Sequence, residues 1–266
     1  MNIMIRKEEE KDYNRQNYLN GGIVKTNKTK SVLFIISLTC MTLILAAGCA
    51  TSIKTNEVYD PKINPVDFVS GVNNKYFTLI PGKTLIYEGE TEEGTEHIEV
   101  TTLSETKTVM GVQCMMVWDR VFLNGDLIED TLDWFAQDKD GNVWYFGEDS
   151  KEIRDGEAVS NAGSWESGID EAKPGIIMLA NPNIGDQYRQ EYYKGQAEDM
   201  GEVIAIDEKA EVPYGVFKDC LKTRDWTPLE EKTDEHKYYS TEIGGVVLEV
   251  GIYSGERVEL IDIQNE

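Results

Sequence analysis

Glycine-containing turns divide the chain after residue 76 into short segments, and this spacing constrains the fold more than any other feature. The turns recur mostly every ten to sixteen residues, as at Met110-Gly111 and Asn124-Gly125. The segments between them alternate apolar and polar residues or are rich in β-branched residues, as in HIEVTTL and GVVLEVGIY. Alternation with a period of two is typical of strands, and no stretch beyond residue 48 keeps a helical period for three turns. The sequence therefore predicts an all-β protein.

The two halves of this strand-rich region resemble one another. Gly111 aligns with Gly215 at an offset of 104 residues, and Phe135 aligns with Tyr238 at an offset of 103. We therefore expect an internal duplication, with two related antiparallel meanders packed as half-barrels or as one curved sheet. The predicted divisions are a first repeat over 73–150, an insertion over 151–184 and a second repeat over 185–266.

The N-terminal region indicates export and lipid attachment. Residues 32 to 48 form an apolar run that follows several lysines and ends in small residues, which is the layout of a signal peptide. LAAGC resembles the lipobox of exported lipoproteins, so Cys49 is the predicted lipidation site and the mature N-terminus. We therefore expect a signal peptide over 1–48 and a linker over 49–72; because the first thirty residues are long and acidic for such a leader, one hypothesis places the true translation start near Val24. The predicted location is the outer face of a cell-envelope membrane.

The charge of the chain restricts its partners. The formal net charge is -23 at pH 7, and removal of the leader makes the remaining chain more acidic still. Such a field repels nucleic acid phosphates and anionic headgroups, so no nucleic acid partner is expected. Cations and basic partners are electrostatically favoured.

The stretch DWFAQDKDGNVWYFGE, residues 133–148, combines rings and carboxylates around one Asp-Gly. We interpret it as a hairpin in which Asp140-Gly141 supplies the positive φ angles of a tight turn. The alternatives are a metal loop, with ligands Asp138, Asp140 and Asn142, and a platform of rings that stacks on sugars. The metal loop is disfavoured because the glycine comes too early for an EF-hand.

A ligand site in such a sheet is expected to be lined by rings and one guanidinium. The candidate lining residues are Trp134, Trp144, Tyr145, Trp165, Tyr188, Arg189 and Trp226, with Tyr87 and Trp118 as further rings. Most of these rings are also natural core residues. For Arg189 the simpler interpretation is an ion pair with Glu198 or Asp199 across a hairpin.

Motifs for catalysis, metals and cofactors are missing from the sequence. Neither His97 nor His236 has a second His or Cys at metal-ligand spacing, and no nucleophile motif is found. Glu191 and Glu198 are the first acidic pair to test for hydrolysis. Cys114 and Cys220 are interpreted as buried free thiols, with a disulfide as the alternative.

Four motifs carry a resemblance to a known family: DWFAQDKDGNVWYFGED, SWESGIDEAKPGIIM, YRQEYYKGQAEDMGEV and EHKYYSTEIGGVVLEV. Across about residues 73 to 262 the chain resembles a family of uncharacterised exported prokaryotic proteins, many of them classed as lipoproteins. The resemblance implies export but no activity. The expected fold is also analogous to the half-barrels of periplasmic lipoprotein carriers.

These observations favour a non-enzymatic binding module for a hydrophobic or amphipathic small ligand. The alternatives are an envelope structural or interaction protein without a small ligand, and a hydrolase that uses a carboxylate pair.

Overall fold

The computed structural model describes residues 59 to 265, which form an all-β body. The fold class predicted from the turn spacing is therefore confirmed. The described residues contain these strands: β1 (Val72–Asn74), β2 (Phe77–Leu79), β3 (Lys83–Thr91), β4 (Gly94–Val109), β5 (Val112–Leu123), β6 (Asp126–Gln137), β7 (Val143–Arg154), β8 (Glu157–Ser160), β9 (Trp165–Glu166), β10 (Lys173–Met178), β11 (Gln187–Arg189), β12 (Glu191–Tyr192), β13 (Met200–Val212), β14 (Gly215–Trp226), β15 (Glu235–Ser240), β16 (Gly245–Gly251) and β17 (Arg257–Asn265). The predicted signal segment 1–48, the hypothesised start near Val24 and the predicted lipidation site Cys49 lie outside the described residues.

Two antiparallel meanders make up most of the body. Strands β3 to β7 pair in sequence order, and strands β13 to β17 do the same. Strand β17 then pairs with β3 and joins the two meanders into one sheet.

From residue 59 to residue 265 there is no helix with the length and apolar character needed to span a membrane.

One short segment nearly closes this sheet into a barrel. Strands β11 and β12 follow each other within residues 187–192, yet they pair with opposite ends of the sheet. Tyr188 lies opposite Gly201 of β13, whereas Glu191 lies opposite Pro174 of β10. Strand β10 in turn pairs with β7. The two predicted half-barrels are therefore parts of one continuous, curved sheet.

The hairpin of β1 and β2 covers one end of the barrel. It donates two backbone N–H groups, from Asn73 and Asn74, to the side-chain oxygen of Gln137 at 2.8 Å each. Its Thr78 N–H donates to the carbonyl of Gly244 at 2.7 Å. These contacts hold the hairpin beside the β6–β7 and β15–β16 turns, and the aromatic ring of Phe77 packs into the interior.

The duplication is visible in the strand order, but residue equivalence shifts along the chain. The β4–β5 and β13–β14 turns each contain two residues, so Val112 corresponds to Gly215. Phe135 faces the interior with Tyr239, whereas Tyr238 packs into a different cluster. The predicted pairings of Gly111 with Gly215 and Phe135 with Tyr238 are therefore wrong by one residue. Irregularities such as the positive φ of Asp219 in β14 change the alternation of side chains.

The insertion between the meanders contributes to the barrel wall. Ile177 and Met178 of β10 are buried in the interior cluster, in a short apolar run that follows Pro174 and Gly175. Trp165 is also buried there, so this ring belongs to the core.

Candidate functional site

The interior of the barrel is apolar at the end that the β1–β2 hairpin covers. Rows of directly opposed residues on neighbouring strands define its two walls. One apolar row is Met115, Phe135 and Tyr145, and the facing wall has Leu221, Tyr239 and Val246. All six belong to a single buried cluster. Aliphatic and aromatic side chains line the interior at this end.

The interior becomes polar and acidic towards the other end. On one wall the next rows are Val117, Asp133 and Glu148, then Asp119, Thr131 and Ser150. On the other wall the next rows are Thr223, Lys237 and Glu249, then Asp225, Glu235 and Gly251. Within residues 59–265 the buried carboxyl and basic side chains are six acids and one lysine, namely Glu96, Asp119, Asp133, Glu148, Glu191, Asp225 and Lys237. Burial of so many carboxylates requires protons, cations or hydrogen-bond donors beside them.

Asp133 and Glu148 form a pair on the first wall. They are directly opposed on β6 and β7, and their residues are 2% and 3% exposed. The hydroxyl of Tyr145 donates a 2.5 Å hydrogen bond to Asp133 Oδ1. Burial and the charge of Asp119 raise the pKa of Asp133 to about 7, and burial and Asp133 raise the pKa of Glu148 well above its usual range. The pair therefore binds protons at a pH where exposed carboxyls are ionised.

Lys237 supplies the positive charge on the second wall. Its ammonium lies 2.9 Å from Glu235 Oε1 and 3.9 Å from both Asp225 Oδ2 and Glu249 Oε1. Burial alone would lower the pKa of Lys237, but these three carboxylates together raise it well above its ordinary value. One lysine is therefore shared by three carboxyl groups, and burial raises the pKa of both Asp225 and Glu249 despite that lysine.

The segment that closes the barrel carries two polar groups into the same region. Gln190 Nε2 donates to Asp225 Oδ2 at 2.9 Å. The neighbouring Glu191 is 6% exposed, and burial together with the charges of Asp199 and Glu148 raises its pKa well above the usual range. The acidic region therefore extends around the closure of the sheet and is not confined to one meander.

Three predicted lining residues lie together in the interior. Tyr145, Trp165 and Tyr188 belong to the same buried cluster. The ring of Tyr145 stacks on Phe135 with centroids 4.7 Å apart and meets Trp165 edge to face at 5.3 Å. These rings fill the core at the boundary with the acidic region.

The remaining predicted lining residues have other partners. Trp134 is in a separate cluster, where the Lys107 ammonium lies 3.3 Å from its ring centroid. Trp144 packs beside that cluster, and the guanidinium of Arg224 lies 4.8 Å from the ring of Trp226. The structure therefore does not bring these three rings to the interior site.

The last three predicted lining residues, Arg189, Tyr87 and Trp118, also have structural partners. Arg189 lies 3.6 Å from Glu198, as the sequence indicated for a cross-hairpin ion pair. Tyr87 donates to the carbonyl of Val246 at 2.9 Å, and Trp118 donates to Asp130 at 2.5 Å.

Residues 133–148 form the predicted hairpin, with one correction. Asp138 accepts hydrogen bonds from the backbone and amide of Asn142, both at 2.9 Å, and from Trp144 Nε1 at 2.8 Å. Gly141 N–H donates to the Asp138 carbonyl at 3.0 Å, and only Gly141, not Asp140, has a positive φ. The turn is therefore a longer loop ending in glycine, not a primed two-residue turn. Within the described part of the chain no group of acidic, His and Cys side chains is arranged to hold a metal ion.

The two residues of the predicted acidic pair differ in burial, and the two predicted thiols are both buried. Glu191 is buried, whereas Glu198 accepts from the backbone of Gly195 at 2.8 Å and pairs with Arg189. Cys114 and Cys220 are free and buried, which confirms the interpretation as two thiols.

Sequence reasoning missed Asp119, Asp133, Asp225 and Lys237 as interior groups. A signal was present, because Asp133 and Phe135 are two residues apart in one strand and so share a face.

The comparisons with known proteins do not assign a family or a function, since no family model, curated protein or solved structure matches the chain.

Proposed function

We propose that the protein is a non-enzymatic binding module of the cell envelope, attached to the membrane through a lipid on Cys49, that holds an amphipathic small ligand in the barrel interior. The observation that carries the proposal is the change of the interior from apolar to acidic along the barrel axis. Such a gradient matches a ligand with one apolar part and one polar part. The proposal narrows the sequence-based expectation, which left hydrophobic ligands equally open.

Native mass spectrometry of the full protein extracted from its membrane tests this function. We expect a noncovalent adduct of low mass that survives gentle desolvation. Denaturation of the same sample should release the adduct and leave only the covalently lipidated mass. A chain that carries the lipid and nothing else in the native spectrum supports the alternative of an envelope structural protein.

A carboxylate-pair hydrolase has one observation in its favour, namely the opposed Asp133 and Glu148 with raised pKa values. Such a pair suits general acid catalysis near neutral pH. The Tyr145 hydroxyl argues against it, because it already donates to Asp133 Oδ1 and so occupies one oxygen of the pair. Nitrophenyl glycosides and esters provide the test, and turnover that Asp133→Asn abolishes would favour the enzyme over the binding module.

A further inference from the structure

Asp225 is held in a fixed orientation with one carboxylate oxygen unused. Its Oδ2 accepts from Gln190 Nε2 at 2.9 Å and lies 3.9 Å from the Lys237 ammonium. Its Oδ1 is buried and has no hydrogen-bond partner, and the residue is 3% exposed. An oriented, buried oxygen of this kind is an acceptor for a further donor, and the buried Thr223 hydroxyl beside Asp225 also has no hydrogen-bond partner of normal geometry.

Tyr188 provides a second unused group at the same place. Its hydroxyl is buried without a hydrogen-bond partner, and the residue is 7% exposed. The ring lies against Gly201, where an added Cβ would come within 2.8 Å of the Tyr188 Cζ atom. Gly201 is directly opposite both Tyr188 and Asp225, so these two side chains project from the same face of the sheet.

Charge and surroundings define which ligand group would complement Tyr188 and Asp225. The nearby lysine is already shared by Asp225, Glu235 and Glu249, so a further positive charge is favoured. The interior cluster adjoins the site through Tyr188 itself, with Val203 next to it in the apolar wall. The complementary group is therefore a cation that donates several hydrogen bonds and carries an apolar body.

We infer that the barrel interior binds a primary alkylammonium, with the ammonium donating to Asp225 Oδ1 and the Tyr188 hydroxyl and the alkyl chain lying against the apolar wall. This inference rests on the proposed function and names the polar part of its ligand. Glu235 and Glu249, with side chains 15% and 14% exposed, are more exposed than Asp225 and add acidic groups beside it. That charge attracts a cation and repels a fatty acid of the same length.

Isothermal titration calorimetry of the full chain at pH 8 tests the inference with three probes of equal length: octylammonium, octanol and octanoate. We expect octylammonium to bind at least tenfold more tightly than either of the others. Calcium chloride is a fourth probe, and competition by calcium with octylammonium would replace the organic cation with a metal ion and overturn the inference.

Two variants locate the ammonium. Asp225→Asn removes the charge and should weaken octylammonium at least tenfold, whereas Asp207→Asn, at an exposed position on β13, should leave affinity unchanged. Tyr188→Phe removes only an unpaired hydroxyl, so we expect undiminished thermal stability with affinity about fivefold lower. Unchanged affinity in Tyr188→Phe would contradict the placement even if Asp225→Asn fails to fold.

The outcomes separate this inference from the proposed function. Octanol binding as tightly as octylammonium would exclude the cationic head but leave an amphipathic ligand. Failure of all three organic probes to bind would contradict both the alkylammonium site and the proposed binding of an amphipathic ligand.

Discussion

Removal of the Lys237 charge should lower the free energy of unfolding, because it leaves buried carboxylates without a cation. Lys237 is the one buried basic residue within 59–265, and three carboxylates lie within 3.9 Å of its ammonium. Lys237→Met keeps much of the side-chain volume but leaves those carboxylates without their cation, so we expect a loss of about 3–5 kcal/mol in the free energy of unfolding. Urea denaturation at pH 8 measures it.

The matched control for Lys237→Met is Lys209→Met. Lys209 also pairs with a carboxylate, at 2.9 Å from Glu211, but both side chains are exposed. An exposed pair contributes little, so a change within about 0.5 kcal/mol is expected. Equal losses in the two variants would mean that burial does not set the importance of the lysine.

At the scale of elements, the closing segment 187–192 depends on close backbone packing. An added Cβ at Gly175 of β10 would lie 2.2 Å from the Gln190 carbonyl oxygen and 2.7 Å from that of Arg189. Backbone atoms cannot move aside as a flexible side chain can. Gly175→Ala should therefore lower stability by about 1–3 kcal/mol by forcing β10 and the closing segment apart. Chemical denaturation measures the loss.

Gly215→Ala is the control for that closure. Gly215 is also in a strand, and the nearest atom to its added Cβ, Phe217 Cζ, is 4.0 Å away. Alanine there should be neutral or raise stability by about 0.5–1 kcal/mol, because it restricts the unfolded chain. If Gly175→Ala is tolerated as well as Gly215→Ala, the barrel does not need this close approach of β10 to the closing segment.

Local pattern predicted the strands, and the limits of local pattern explain what was missed. Turn glycines and period-two alternation are recognised within a few residues of sequence. The ion pair of Arg189 with Glu198 is also local, because it spans only a short hairpin. Closure by residues 187–192 joins strands that are distant in sequence, which no local pattern encodes. The inward direction of Glu148 depends on the irregularity of β7 opposite Asp133 and Phe135, where three residue steps in β7 match two in β6.

The whole molecule should be more stable in mild acid than at alkaline pH. Burial raises the pKa of Asp133 to about 7 and that of Asp199 to about 6. In the unfolded chain these groups titrate near their ordinary values, so between these limits the folded state binds more protons than the unfolded state. Their contribution is complete below about pH 4 and is lost as the pH rises through 6 to 7. Lys237, with its raised pKa, stays protonated throughout.

The size and origin of this pH dependence follow from the groups that face Asp133. These are Asp119 on β5, Tyr145 and Glu148 on β7, and Glu191 of the closing segment. We expect the free energy of unfolding to fall by about 2–4 kcal/mol between pH 5 and pH 8. Asp133→Asn should flatten this slope because a neutral amide replaces a carboxyl that must ionise, whereas Asp126→Asn, at an exposed position, should not. Urea midpoints across this range provide the measurement, and a stability that rises with pH would mean that the barrel accommodates ionised carboxylates without cost, which the low-dielectric interior argues against.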